Sequence, residues 1–359
     1  FGRGIVEVSG SDPSGHAATI KIPFWTESAP FQWQDAIIYQ VMVDRFRSSD
    51  GPIPHDVPAS FIHGGNLDGV TEALESGYFD DLGVNVIWLS PVIDNPEGQF
   101  IGRDGHLAES YHGYWPSRPR TVEERMGGRE ALERLVSTAH RRGIRVIIDH
   151  VLNHIHTEHP YYLDDEVQDW INHPEGDCIC GFSCSWATHI QDCWFDPFLA
   201  DLKWQTPRVA QTQIDDALFW LEHFNLDGFR LDAVPMMPRM AIRQLRAQLN
   251  ERLGHRADDY YLLGETYTGA FGQNWIRYYL GEHSLSGQFD FPVMWTLRGA
   301  LSGQLPMSAL ADQMLLSQSS YADSGAVMAP LMGNHDVGRI ISALNGDDLY
   351  QPRELMPDA

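Results

Sequence analysis

Basic residues are scarce in this chain. Its 359 residues carry 25 Lys and Arg against 49 Asp and Glu, a net charge of −24. So acidic a balance argues against nucleic acid and against an anionic membrane surface as partners, because both require a basic face. Long apolar runs are missing too: nothing approaches the roughly 20 residues of a membrane-crossing helix. The glycine loop His63-Gly-Gly-Asn-Leu-Asp-Gly69 lacks the Lys-Ser/Thr of a phosphate loop, so phosphate binding is not expected there. Position 1 is Phe1, not Met, and no signal peptide is legible. A processed or cut chain is the simplest expectation. Cysteine is rare and confined to Cys178, Cys180, Cys184 and Cys193, which reads as a local staple or a metal knot. The first spacing is too tight for a four-thiolate zinc knot and the usual C-x2-C pairs are absent, which favours disulfides. A Cys178–Cys180 bond would be strained, so each of these two is expected to pair with Cys184 or Cys193.

What is present is globular in character: 43% hydrophobic and 21% charged residues. The 11 Trp, 13 Tyr and 16 Phe supply flat apolar faces able to stack on sugar rings, although aromatics are also ordinary core. Residues 1–30 contain two alternating stretches around a Ser/Asp/Pro/Gly turn, a hairpin too small to bury a core and read as the remnant of a β-module or a simple lead-in. From residue 31 helices and short apolar strands alternate. Strands are expected near 36–43, 84–89, 144–148, 227–231, 260–264, 288–291 and 327–332. Helices carry Val70, Leu74 and Leu82; then Leu132, Leu135 and Val136 behind a capping box at Thr121 and Glu124; then Ile214 to Phe224 behind Pro207; then Ile242 to Leu253, stopped by Gly254. Such alternation means a parallel sheet covered on both faces.

A doubly wound sheet and a (β/α)8 TIM barrel both fit that pattern. The polar residues that follow the strands favour the barrel: Asp44 and Arg45, Asp149, Arg230 and Asp232, Glu265, then Asn334, His335 and Asp336. In a barrel all carboxyl-terminal strand ends converge on one mouth. Residues 31–153 are read as the first part of the barrel, 154–203 as a small inserted domain after strand 3, and 204–359 as the second part. No eighth apolar run precedes Ala359, so the chain is expected to stop before the barrel closes.

The stretch Asp227-Gly-Phe-Arg-Leu-Asp-Ala-Val234 stands out. In a strand, Arg230 and Asp232 share one face, two residues apart. A guanidinium beside a carboxylate favours the charged form, which a carboxylate nucleophile requires. Two carboxylates flanking a scissile bond perform glycoside hydrolysis, and Asp232, Glu265 and Asp336 each follow a strand.

These residues resemble the α-amylase family, the family 13 glycoside hydrolases, over most of residues 31–345. Four short signatures stand in order: Asp149-His-Val-Leu-Asn-His154, Gly228-Phe-Arg-Leu-Asp-Ala-Val234, Gly264-Glu-Thr-Tyr267 and Gly333-Asn-His-Asp336. Tyr39 to Phe46, Leu82 to Pro91 and Tyr111-His-Gly-Tyr-Trp115 are similar to the family as well. The resemblance implies a retaining mechanism with Asp232 as nucleophile, Glu265 as acid/base and Asp336 stabilising the transition state. It implies that Arg230, His112, His154 and His335 bind around the reacting sugar and that Tyr114 stacks on it. His55, His159 and His283, outside the motifs, are expected to be structural.

The resemblance further implies a structural calcium, held by the side chains of Asn153 and Asp201 and by carbonyls near Gln191 and Met236. Pro235 and Met236 stand where many amylases carry Lys-His, a departure from the family pattern on the leaving side. The implied substrate is a starch-like α-glucan, cut internally at α-1,4 bonds, with Asp201 in Leu-Ala-Asp-Leu favouring an amylase. Maltogenic or cyclomaltodextrin-degrading, α-1,6-acting and transglycosylating relatives share the signatures. A non-catalytic glycan-binding barrel would usually lack one of the carboxylates. A monomer, secreted or periplasmic, is expected, and disulfides suit that setting.

Overall fold

The computed structural model describes residues 2–27, 29–54, 56–164, 169–253 and 260–345. His55, the Gly254 helix stop and residues 346–359 lie outside these. Six parallel strands form one sheet: Ile38–Val41, Val86–Leu89, Arg145–His150, Gly228–Leu231, Tyr261–Gly264 and Gly287–Gln288. Each pairs with its neighbours in chain order. A doubly wound sheet would reverse its strand order at a switch point. This one never does, so it winds in a single sense. The seventh expected strand is reduced to a parallel bridge between Phe289 and Ala329, with the Val327 and Ala329 amides donating to Ser286 and Gln288 carbonyls. Among the described residues no eighth strand follows, and the sheet is an incomplete, curled barrel. No described helix is long and apolar enough to cross a membrane.

Curling is visible in contacts across the interior. Trp88 on the second strand meets Phe289 at 5.2 Å between ring centroids, and Trp33, ahead of the first strand, stacks on Tyr261 of the fifth at 4.5 Å. Side chains alternate accordingly. Val86, Trp88, Ile147, Tyr261 and Leu263 fill the inside, while Ile87, Leu89, Val146, Ile148, Phe229, Leu231 and Leu262 pack outward against the helices. By the same alternation Asp149, Arg230 and Asp232 belong to the inner set. Gly228 has a positive φ of 154°, and a Cβ there would lie 2.1 Å from the Tyr261 carbonyl oxygen. The fourth and fifth strands approach this closely only because the residue is glycine.

The helices from Pro207 to Phe224 and from Arg239 to Leu253 bury the apolar faces read from the sequence. Two other expectations need correction. Thr121 lies in a strand, Arg118–Val122, paired with Ile93–Asp94, and the helix begins later, at Gly128. Glu123 is bonded instead to Arg125 and the Asn95 amide, so the Thr121 and Glu124 spacing caps nothing. The first helix ends at Glu75 and restarts as Tyr78–Asp81 after Gly77 turns with φ 81°, which leaves Leu82 52% exposed.

The hairpin, Gly2–Ser11 and Ala17–Thr26, docks at the amino-terminal end of the strands. Its Arg3 is 3.1 Å from Asp227, whose other oxygen bonds His140 Nε2 at 2.8 Å, and all three side chains are buried. Between the third and fourth strands, His154–His156 pairs antiparallel with Leu199–Asp201. The intervening segment is tied by Cys178–Cys184 and Cys180–Cys193, which selects one of the two pairings left open.

Candidate active site

Arg230 is completely buried at the carboxyl end of the fourth strand. One of its terminal nitrogens lies 2.7 and 2.9 Å from the two oxygens of Asp149 and 2.7 Å from Asp232 Oδ1. The other lies 2.9 Å from Glu265 Oε1. One positive charge thus faces three carboxylates from three adjacent strands. Taking charge out of water is costly unless it is paired, so a cluster with this imbalance tends to retain protons. Burial pushes Asp149 upward against the pull of Arg230, and burial likewise raises Glu265, with Asp232 adding to the rise. Asp336 is pushed upward by desolvation and then by the negative field of Glu265, against the pull of Arg230.

The turn after Asp232 fixes this geometry. Ala233 adopts the left-handed region, φ 48°, rare for a residue with a Cβ. That conformation directs its amide to Glu265 Oε2 at 3.2 Å, and the Val234 amide to the Glu265 carbonyl at 3.1 Å. Strain of this kind persists where the surroundings enforce it, often at functional sites.

Around the carboxylates stand the aromatic and imidazole residues expected from the motifs. The Tyr114 hydroxyl donates to Asp149 at 2.7 Å, and its ring stacks on His335 at 5.2 Å. His335 Nδ1 accepts from the Gln40 amide at 2.7 Å, so its proton sits on Nε2, 3.4 Å from Asp336. His112 Nδ1 accepts from the Tyr114 amide, and His154 Nε2 donates to the Tyr114 carbonyl. His154 therefore props Tyr114 from below. Burial pushes His112 and His335 down to about 3 and His154 to about 4, so all three are neutral at pH 7.

Asp232, Glu265, Arg230, His112, Tyr114, His154, His335 and Asp336 are thus brought to one mouth. Three further members are Asp149, Gln40 and Trp88, whose indole donates to Asp149 at 3.2 Å. Asp149 was visible at a strand end and inside the first signature. Gln40 and Trp88 fall inside the family-similar stretches Tyr39 to Phe46 and Leu82 to Pro91, in which neither side chain stands out as a site residue. Elsewhere, Asn153 and the buried Asp201 lie together where His154–His156 meets Leu199–Asp201. The Gln191 amide donates to the Met237 carbonyl at 3.3 Å, one residue beyond Met236.

Inward carboxylates gathered on an arginine at the carboxyl ends of parallel strands form a polar cluster placed where barrel proteins build their active sites. The family description "Alpha amylase, catalytic domain" matches residues 40–356. The chain belongs to the alpha-amylase family. It is similar to alpha-amylase 3 of Schizosaccharomyces pombe, 32% identical over 219 residues, covering 57% of this chain and 37% of the relative. Intracellular maltogenic amylase of Bacillus subtilis is 25% identical over 353 residues, covering 91% of this chain and 54% of the relative. Among solved structures, the alpha-amylase of Geobacillus thermoleovorans complexed with acarbose superposes with a TM-score of 0.75 at 28% identity, over 89% of this chain and 65% of that one. The chain spans about half the length, or less, of these curated relatives.

Proposed function

We propose that this chain supplies the catalytic centre of a retaining hydrolase that cuts α-1,4-glucosidic bonds within starch-like glucans. The observation that carries the reading is the single buried guanidinium of Arg230 shared by Asp149, Asp232 and Glu265. In this reading Asp232 attacks the anomeric carbon while Glu265 gives its proton to the departing glycosidic oxygen. The C–O bond breaks and a glycosyl ester forms on Asp232. Glu265, now a carboxylate, takes a proton from water, which attacks the same carbon and frees Asp232. The burial that raises Glu265 suits a general acid. Asp336 lies on the side of His335, where the positive charge developing in the transition state would favour its ionised form and be stabilised by it. Neutral His112 and His335 offer hydrogen bonds to sugar hydroxyls, and Tyr114 borders the same space.

The match to a maltogenic amylase over 91% of the chain supports a second reading, in which short or cyclic maltodextrins are preferred. Incubation of the full protein with soluble starch tests both. Early release of mixed oligosaccharides supports internal cutting, maltose alone supports the maltogenic reading, and products longer than the substrate support transfer. No new reducing ends from starch, cyclic or branched glucans would overturn the hydrolase reading.

A calcium ion is part of the proposal. Asn153 Oδ1 is buried without a hydrogen-bond partner, and Asp201 is a buried carboxylate raised well above its usual range by desolvation. Both are hard oxygen donors, which suits Ca²⁺. Asn153 and Asp201 would hold it, with carbonyls near Gln191 and Met236. Its charge would tie the third strand to the disulfide-linked segment. The two disulfides, which leave no cysteine free, support a secreted or periplasmic site of action. A monomer is the proposed state, which sedimentation of the full protein would test.

A further inference from the structure

A cluster apart from the catalytic mouth lies in the disulfide-tied segment. Ring nitrogens of His173 and His189 and the sulfur of Cys178 all fall within 4.8 Å of one another. Cys178 is bonded to Cys184 and offers no thiolate, so the sulfur is a neighbour, not a ligand. Asp192 supplies the third donor. One of its oxygens is 3.1 Å from His189 Nδ1 and the other 3.5 Å from His173 Nε2. A tetrahedral ion with bonds of about 2.0–2.1 Å spaces its ligand atoms roughly 3.4 Å apart. The two spacings, each to a different Asp192 oxygen, lie near that value; the shorter is also a hydrogen bond, and the longer one is poor for one.

The surroundings are built for the same purpose. The second nitrogen of His173, Nδ1, faces Asp177 at 3.7 Å. A carboxylate behind a ligating imidazole fixes its tautomer and raises its basicity. The rings of His173 and His189 are inclined at 73° with centroids 6.0 Å apart, so they are unstacked. Their backbone is held without any ion: Asn172 bonds Asp201 through both its amide and its side chain, and Ser185 caps the Trp186–His189 turn. The three donors are 32–40% exposed, so an ion can enter without unfolding.

We propose that His173, His189 and Asp192 bind one zinc-class divalent ion, with water in the fourth position and Asp177 orienting His173. Two imidazoles select for zinc, nickel or copper over calcium, which separates this site from the oxygen donors Asn153 and Asp201. The ion would cross-link the two ends of the segment that the disulfides close. Plain His–Asp ion pairs would use the same residues and bind nothing.

The experiment is calorimetric titration of Zn²⁺ into the full protein, stripped with chelator and resupplied with calcium. One zinc per chain is expected, with affinity lower by at least about 10-fold in His173→Ala and in His189→Ala, and by about 10-fold in Asp177→Asn. Co²⁺ in place of zinc is expected to give the visible absorption of a four-coordinate site in the parent protein, lost in His189→Ala, with circular dichroism showing each variant folded. Zinc uptake that is unchanged in both histidine variants would overturn the assignment, as would no uptake by the folded parent protein.

Discussion

Both oxygens of Asp149 close on the nitrogen of Arg230 that also meets Asp232, at 2.7 and 2.9 Å. Asp149 thereby sets where the guanidinium sits, and the guanidinium sets where Asp232 and Glu265 sit. A lysine in place of Arg230 would keep the charge but lose the fork. Arg230→Lys is expected to lower kcat by about 10²–10³-fold, comparable to removing one positioned donor. Starch hydrolysis followed by reducing ends measures it, and activity near that of the parent would remove Arg230 from its organising place.

The two carboxylates on Arg230 carry different chemistry in the proposed mechanism, so their amides should fail differently. Asp232→Asn is expected to abolish turnover on every glucoside, because no ester can form. Glu265→Gln is expected to cost about 10²–10⁴-fold on starch and much less on an α-glucosyl fluoride, whose leaving group needs no proton. Equal losses on both substrates would assign the acid to another residue. Since burial raises Glu265, its proton persists above the usual glutamate range. Activity should therefore decline on the alkaline side as Glu265 ionises, at a pH above that of an unperturbed glutamate, and a kcat/KM profile would show the limb.

Much of this mouth was legible because strand ends converge once the winding is known. Arg230 lies at the end of an apolar run, Asp232 and Glu265 just past theirs, and Asp336 shortly after the run that ends at Met332, and the runs themselves announce a parallel sheet. The parts that were not legible depend on register across strands. Gln40 and Trp88 look like ordinary strand interior, and only pairing places Gln40 beside His335 and Trp88 beside Asp149. The Thr121 and Glu124 spacing imitated a helix start because local capping chemistry and a strand pairing compete for the same residues, and here the pairing with Ile93–Asp94 won. Nothing in the hairpin sequence announced that Arg3 reaches a buried aspartate 224 positions later, since an isolated arginine carries no partner in its own pattern.

That contact makes a stability prediction. Burial opposes the charge on Asp227, but Arg3 and then His140 more than offset it and hold Asp227 below the usual aspartate range. A group with a lowered folded pKa contributes stability at neutral pH, lost as pH falls through that folded pKa. Removing one partner of a buried pair costs about 3–5 kcal/mol. Arg3→Ala should show a deficit of that order in urea unfolding at pH 7, shrinking in acid as Asp227 takes up a proton. Arg3 also lies over the Tyr260 ring, 4.9 Å from its centroid, and a deficit that does not change with pH would mean the loss comes from that packing and not from the ion pair.

The proposed calcium site predicts the opposite pH trend. Asp201 is raised well above its usual range by burial, so without a cation the folded state holds a proton that the unfolded chain gives up. Stability then falls as pH rises from about 4, the ordinary aspartate value, upward through the folded pKa. Calcium replaces that proton with a fixed charge and removes the penalty. At 100 times its dissociation constant a ligand adds about 2.7 kcal/mol, and here the gain should be larger at pH 8 than at pH 5. Thermal unfolding with calcium and with chelator at both values measures the difference. In Asp201→Asn the pH trend and most of the calcium effect should vanish together, because one carboxylate underlies both. A calcium increment that survives that substitution would place the ion at other donors.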